Sequence, residues 1–367
     1  MHKIRLSYEF VTANDSRISV EGVHHPLTQL LRAISEQGSI RGAATYLGLS
    51  YRHVWGELKR WEETLGHTLI LWNKGQSARL SDMGFKLMWA ERHAQAQLAP
   101  QIQALRADIE RSFATALNAE TPVVKLYASH DDAVRNLQQF APESGVYLDV
   151  RFCGSVDAIR ALNEGRCQLA GFHVPIASAP ESVIAKTYKP LLKPGLHKVI
   201  GFTRRQLGLI VPSGNPSNLK TAACIKARQA RFAMRALGTG TRVSLNHWLV
   251  ESGIALDELR VLPGDELSHQ AVALRVASGD ADVGMGTESA ALALGLTFVP
   301  LFDEAYLFVC LKSYLESPAM QALRTFLKTD IWVQYVDNTS GYKVDRMGEV
   351  MALSAELPWW SFRKKAT

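Results

Sequence analysis

Between residues 27 and 66 the apolar side chains recur at helical spacing in three short runs, each stopped by a glycine. Leu27, Leu30, Leu31 and Ile34 make the first stripe, closed by Gly38. Ser39 is placed to cap a second helix with Ile40, Ala43, Ala44 and Leu47 on one face, ending at Gly48. Ser50 caps a third, whose stripe is Val54, Leu58, Trp61 and Leu65, ending at Gly66. Helices this short are marginal alone and must pack on one another. With a tight glycine-bearing turn between the second and third, they make a helix-turn-helix.

The chain continues in the same sense. An apolar run over 69–72, a polar stretch over 73–77 and a return over 78–80 predict a two-stranded wing with a basic tip. Ser81 then caps a long helix over 82–116 with Met88, His93, Leu98, Ile102, Leu105 and Ile109 on or near one stripe. Weak alternation over residues 1–24 (Ile4, Leu6, Tyr8, Phe10, Ile18, Val20) predicts a short β-hairpin before the first helix.

Helix geometry assigns roles within the third helix. With Val54 toward the core, steps of about 100° per residue turn Arg52, Gly56 and Lys59 outward, flanked by His53, Trp55 and Arg60. Ser50, Tyr51, Arg52 and His53, at its start, are candidates to meet base edges in a major groove. Lys59, Arg60, Lys74 and Arg79 suit phosphates, which position a protein without specifying sequence. Gly56 costs about 1 kcal/mol relative to Ala in a helix, which close approach of DNA or a neighbouring helix would explain. A solvated face balanced by Glu57, Glu62 and Glu63 is the competing reading. The capped helix-turn-helix and basic wing favour double-stranded DNA as the partner.

The run Ala43-Ala44, Leu47, Ser50, Val54, Leu58, Trp61-Glu62, Leu65-Gly66, then Leu80-Ser81 and Gly84, resembles the winged helix of LysR-type and ModE-type bacterial regulators. Residues 49–55 and the preceding hairpin look closer to the ModE side. The resemblance covers roughly residues 20–115. It implies that the helix over 82–117 pairs two copies, giving a dimer or tetramer.

Composition sets the outer bounds. The chain has 367 residues, 47% hydrophobic and 21% charged, as an ordinary globular protein has, and its formal charge is +6. No apolar run approaches the roughly 18 residues that span a bilayer; the longest, over 290–301, is interrupted by Gly295. The first ten residues have neither the apolar core nor the small-residue cleavage site of an export signal. Cys153, Cys167, Cys224 and Cys310 are scattered without metal-like spacing, as buried thiols of a reducing compartment would be. A cytoplasmic protein that does not enter the membrane is expected.

Beyond a polar linker over 118–122, strands and helices alternate: strands over 123–128, 146–152 and 168–174, with helices over 132–140 and 156–164 between them. Alternation of this kind predicts a mostly parallel sheet whose ligands gather beyond the carboxyl ends of its strands. Ser129 and His130 follow the first strand, Ser155 the second, and His173 ends the third. A second α/β unit begins near residue 208. In it a strand over 231–234 leads to Gly238-Thr239-Gly240-Thr241-Arg242 at a helix start, where bare amides, two hydroxyls and a guanidinium suit an anion. The turn lacks the Gly-Lys-Ser/Thr ending of a nucleotide phosphate loop. Glu288 lies at the end of a strand over 283–286, and a strand over 305–311, carrying Tyr306, returns the chain to the first lobe.

This part, with its helix, turn and strand over 274–286, resembles the type II periplasmic-binding-protein fold. Joined to a ModE-like winged helix, it looks like one-component regulators whose effector module is related to molybdate and molybdenum-cofactor proteins. The resemblance implies Ser129, Ser155 and Thr239–Arg242 (Thr239, Gly240, Thr241, Arg242) as oxyanion contacts, with His130, His173, Glu288 and Tyr306 behind them. ModE's second small β-barrel is missing, so the ligand is not fixed by that likeness.

The expected architecture is therefore a mostly α winged helix over 1–81, a long dimerisation helix over 82–117, and a two-lobed α/β periplasmic-binding-like module over 118–355. Its first lobe takes about 122–205 and 301–355, its second about 206–300. The expected function is a cytoplasmic transcriptional regulator binding operator DNA, switched by a small anion such as molybdate, tungstate or a molybdenum-cofactor-related species, with no covalent cofactor. The alternative is an oxyanion sensor or carrier that ignores DNA. Catalysis is not expected: Ser129, His130 and Asp131 are adjacent on one loop and cannot form a relay, and the histidines lack metal spacing. The aromatic, then basic tail over 357–365 is expected to be a partly ordered end or a docking segment.

Overall fold

A computed structural model of the chain describes residues 25–72, 77–117, 122–176, 178–357 and 359–360. It divides into two compact units, Met1–Ala99 and Pro100–Thr367.

In the first unit, α1 (Pro26–Gln37), α2 (Ile40–Tyr46) and α3 (Tyr51–Leu65) are followed by β1 (Ile70–Leu71), β2 (Arg79–Leu80) and the start of α4 (Asp82–Leu117). The predicted caps are present. Ser39 Oγ accepts from the Gly42 amide at 2.9 Å, Ser50 Oγ from the His53 amide at 3.1 Å, and Gly38 and Gly66 end α1 and α3 in left-handed conformation. Leu31, Ile34, Ala43, Val54, Leu58 and Leu69 form one buried core. The wing is antiparallel, with Ile70 opposite Leu80 and Leu71 opposite Arg79. A Cβ at Gly84 would stand 2.3 Å from the Leu69 carbonyl oxygen, so only glycine lets α4 start against the wing. Pro100 lies inside α4, where the two units divide.

The second unit is α/β. After β3 (Val123–Ala128) come α5 (Asp132–Phe140), β4 (Tyr147–Phe152), α6 (Ser155–Asn163), β5 (Leu169–Pro175) and α7 (Val183–Tyr188). The long β6 (His197–Val211) leads to α8 (Ala222–Ala227), β7 (Phe232–Arg235), α9 (Gly240–Glu251), β8 (Val261–Glu266), α10 (His269–Ala277), β9 (Val283–Thr287) and α11 (Glu288–Leu292). The equally long β10 (Thr297–Leu311) returns, before α12 (Pro318–Phe326), α13 (Asp330–Asp337), β11 (Tyr342–Val344), β12 (Val350–Ala352) and α14 (Leu353–Glu356).

Strand order is β4-β3-β5-β10-β6-β9-β7-β8, with β11 and β12 also pairing with β6. β3 is parallel to β4 and β5, and β7 to β8 and β9; the antiparallel pair β6/β10 joins the two sets. Residues 304–309 of β10 pair with β5 in the first lobe, while residues 207–210 of β6 pair with β9 in the second. These two strands are the crossing segments. Alternation sends Tyr306, Phe308 and Cys310 to one core of the first lobe and Ala305, Leu307 and Val309 to the other.

The crossing strands are longer than the sequence reading allowed. β10 starts at Thr297 rather than 305, and nothing in the local pattern marked β6 as a strand of 15 residues. Arg204 and Arg205 in one, and Asp303 and Glu304 in the other, interrupt the apolar runs that identify strands. Glu304 is paired directly with Arg205 across the ladder, so each supplies the partner that makes the other tolerable inside.

Candidate functional site

Two groups of polar residues stand out, one in each unit. On the first, Tyr51, Arg52 and His53 are exposed at the start of α3 while Val54 is fully buried, which fixes the outward face as expected. Ser50 is the N-cap, and its hydroxyl is occupied as acceptor for the His53 amide. Lys59 Nζ lies 2.8 Å from Glu62 and Arg60 Nη2 2.5 Å from Glu57, so these two cations are partly neutralised. Arg52 makes no ion pair among the described residues. Glu62 also accepts from the Leu69 and Ile70 amides at 2.8 and 3.3 Å, tying the wing to α3. Partial burial alone would raise the Glu62 carboxyl, but Lys59 and these amides hold it below its ordinary value.

The face is more aromatic than expected. Tyr51 stacks on Trp55 at 6.5 Å, Trp55 meets Trp72 of the wing edge-on at 6.0 Å, and Lys59 lies 5.1 Å from the Trp55 ring. A Cβ at Gly56 would meet nothing within 4 Å, so packing inside the chain does not require this glycine. It leaves bare helix backbone on the outward face. Arg79 is exposed on β2. Lys74 lies outside the described residues, as do the hairpin over 1–24 and the basic end of the tail; Trp359, just before that end, is buried against Tyr188.

In the second unit, the loops at the strand ends of the two lobes meet. Ser129 Oγ and Ser155 Oγ are 3.2 Å apart and buried. A Cβ at Gly154 would lie 2.5 Å from the Gly238 carbonyl, and the Val156 amide donates to that oxygen at 3.2 Å. A Cβ at Gly240 would lie 2.8 Å from His173 Cβ and 3.1 Å from Ser155 Oγ. The Gly-Thr turn therefore closes onto Ser155 and His173 with no room for a side chain. Thr239 caps α9, its Oγ1 accepting from the Arg242 amide at 3.3 Å, and Thr241 is buried beside it. Arg242 turns back, Nη1 donating to the Arg235 carbonyl at 3.3 Å. Ser155 is the first residue of α6 behind an N-cap glycine, and Asp131, rather than Ser129, caps α5.

The remaining expected residues divide. Tyr306 is central: it stacks on His173 at 3.7 Å and its hydroxyl donates to the Ser129 carbonyl at 3.3 Å. His130 instead contacts Gln103 at 3.1 Å and packs on Phe152, and burial, then Arg235 and Arg135, push its pKa down to about 3. Glu288 accepts from Ser340 at 3.2 Å and packs on Gly341, so it serves the C-terminal loop rather than the serine pair.

Sequence reasoning missed the charged residues beneath this surface. Arg205 is buried between Asp131 and Glu304, donating to both, and Tyr342 donates to Asp131 at 2.8 Å. Burial alone would raise Asp131, but the Arg205 guanidinium overcomes it and holds the carboxyl well below the usual range. Arg235 is different. It is 3% exposed, donates Nη1 to the Glu266 carbonyl at 2.7 Å, leaves Nε unpartnered, and makes no ion pair among the described residues. Glu266, its nearest acid by charge, has its carboxylate taken by Arg275 at 3.0 Å. Burial and repulsion from Arg205 lower the Arg235 pKa to about 9. His269, at the start of α10 behind the Ser268 cap, is also buried, with Nδ1 unpartnered; both ring nitrogens of His173 lack partners too. A signal existed: Arg235 ends an apolar strand immediately before the Gly-Thr turn, and Ser268-His269 opens a helix as the other capped starts do.

Buried donors with no hydrogen-bond partner among the described residues, hydroxyls and capped helix starts are residue types that suit an anion. Residues 27–85 match the bacterial regulatory helix-turn-helix family of lysR proteins, and residues 137–328 match the PBP superfamily domain. The chain thus joins a segment similar to the lysR-family helix-turn-helix to a PBP-like domain. The second match spans more than half of the chain, and the protein belongs to that PBP-like family.

Among relatives, the uncharacterized protein YvgK of Bacillus subtilis is 29% identical over 202 residues, 55% of this chain and 64% of YvgK. The chain thus spans less than two thirds of that relative's length. An uncharacterized protein from the 5′ region of the 2Fe-2S ferredoxin gene of Clostridium pasteurianum is 29% identical over 85 residues, 23% of this chain and 75% of that one. A solved structure of a hydrogen-peroxide-bound mutant of Corynebacterium glutamicum OxyR is 15% identical, covering 88% of this chain and 99% of that one, with a TM-score of 0.42. Among the described residues no helix is long and apolar enough to cross a membrane.

Proposed function

We propose that the protein is a cytoplasmic regulator that binds operator DNA through α3 and the wing and is switched by a small oxyanion between its lobes. The observation that carries the effector reading is Arg235: a buried guanidinium with, among the described residues, an unpartnered Nε and no carboxylate paired to it. A bound anion would supply the missing charge, with Ser129, Ser155 and the start of α9 around it. Molybdate, tungstate or a molybdenum-cofactor-related species is the favoured effector, supported by the ModE-like stretch over 49–55. Leu105 of α4, 56% exposed on an apolar stripe, supports pairing of two copies through that helix. The anion would bind one lobe arrangement better than another and bias the paired winged helices.

A thermal-shift series with molybdate, tungstate, sulfate, phosphate and molybdopterin species tests the ligand, because a ligand of the folded state raises Tm. At least one is expected to stabilise the protein; no shift with any of them sinks the effector reading. Duplex binding that weakens with salt tests the other half, and a protein that ignores DNA at low salt is not a regulator of this kind.

A further inference from the structure

The cleft holds more than a fixed positive charge. His173 and His269, 1% and 7% exposed, bring three ring nitrogens with no hydrogen-bond partner among the described residues to the surroundings of Arg205, and His269 also lies in the field of Arg235. Leaving a polar nitrogen buried without a partner is costly, so such atoms are rare unless something else completes them. Resting on the anion-site reading above, we propose that effector capture is proton-coupled: the anion enters together with a proton that is taken up by the His173/His269 imidazoles.

The groups facing these rings decide the sign. Around His173 stand Asp131, with Oδ2 at 3.9 Å from Nε2, the Tyr306 ring, Arg205 and Glu304. Ser155 and Gly240 close over its Nδ1 side. Asp131 and Glu304 are both bonded to Arg205, so their negative charge is largely spent. Around His269 the charges are Arg205, Arg235 and the two other histidines, His173 and His130, while Gly286 lies against its Nδ1. Burial, then Arg205, holds both imidazoles below their ordinary pKa, so both are neutral near pH 7 before an anion binds. An anion beside Arg235 reverses the local sign and favours imidazolium, which then donates where neutral nitrogens had no partner. A group whose pKa rises on binding takes up a proton, so affinity increases as pH falls between the two pKa values.

Isothermal titration of the full chain with sodium molybdate and with sodium sulfate tests this. Bis-Tris, imidazole and Tris at one pH differ in ionisation enthalpy. The measured heat is expected to vary with that enthalpy at a slope of roughly one half to one proton per anion, and affinity to rise several-fold, up to about tenfold, per pH unit lowered from 8.5 to 6.5. His269→Asn and His173→Asn are expected to reduce the slope, and the parent's pH series is decisive even where a variant fails to fold. Anion binding with a buffer-independent heat and flat affinity overturns proton coupling and leaves the anion site standing. No heat from either salt, with no anion stabilising the protein, overturns both.

Discussion

The two polar regions use the same residue types in opposite ways. At the start of α3, Arg52 and His53 are exposed, and the water around them leaves their charge available to a partner at little cost. In the second unit, Arg205, Arg235, His173 and His269 are buried, where an uncompensated charge costs several kcal/mol. A surface cation is therefore weak testimony to anything, while a buried unpaired one implies a partner. Arg205 and Arg235 show both outcomes within one unit: the first has two carboxylates, the second has none paired to it among the described residues.

The sharpest way to break this contrast is to remove the paired arginine. Arg205→Ala leaves Asp131 and Glu304 buried without their cation and is expected to cost about 3–5 kcal/mol, measured by urea unfolding followed through the buried Trp332 and Trp359. The sign with pH follows from Asp131, whose carboxyl is held low in the folded protein. Its contribution is present above the unfolded value of about 4 and is lost as pH falls toward the folded pKa. The deficit of the variant should narrow below that pH; a deficit constant down to pH 2 contradicts the ion-pair account.

Removing the unpaired arginine should do the reverse. Arg235→Met deletes a buried cation, and the Glu266 carbonyl keeps the Ala236 amide at 3.2 Å. Stability of the anion-free protein is expected to hold or rise slightly, while stabilisation by molybdate or sulfate falls by about 1.5–3 kcal/mol, the scale of a charged hydrogen bond. A variant that still responds fully to every anion would move the site elsewhere in the cleft.

How much of this was legible in the sequence follows the same division. The three helices of the first unit could be read almost to the residue, because their signals are local: Ser39 and Ser50 cap the helices they precede, and Gly38 and Gly66 stop α1 and α3. Val123–Ala128 was equally plain as an apolar strand. The cleft was half visible. Ser129, Ser155 and Thr239 are polar residues at strand and helix ends, which a pattern can flag. Arg205 and Glu304 sit 99 positions apart and make sense only as a cross-strand pair, so the sequence presented them as breaks in apolar runs. Glu288 shows the opposite error: its position beside a predicted strand end was right, but its side chain turns to Ser340 instead. His130 bonds Gln103 yet stays in the field of Arg235 and His269.

On the exposed face, Arg52→Ala is expected to weaken duplex binding about tenfold to a hundredfold if the guanidinium reads a base edge, since such contacts contribute about 1–3 kcal/mol. The salt dependence discriminates the mode of contact. A base reader leaves the slope of affinity against salt unchanged and relaxes sequence preference, whereas a phosphate contact lowers the slope by about one. Unfolding should be unaffected, because Arg52 makes no ion pair among the described residues. A fall in stability that accounts for the lost binding would remove Arg52 from the recognition surface.

Arg60→Ala, further along the same helix, is the control with the smallest effect. Its guanidinium is 61% exposed, bonds Glu57 at 2.5 Å and lies 5.1 Å from the Trp61 ring. An exposed pair of this kind contributes less than about 1 kcal/mol, so thermal unfolding should barely move. Any loss of DNA affinity should be uniform across sequences and should shrink as salt rises, as for a phosphate contact. If Arg60→Ala instead changes which duplex is preferred, the division of α3 into base readers at its start and phosphate contacts further along is wrong, and the aromatic row Tyr51–Trp55–Trp72 becomes the place to look for the reader.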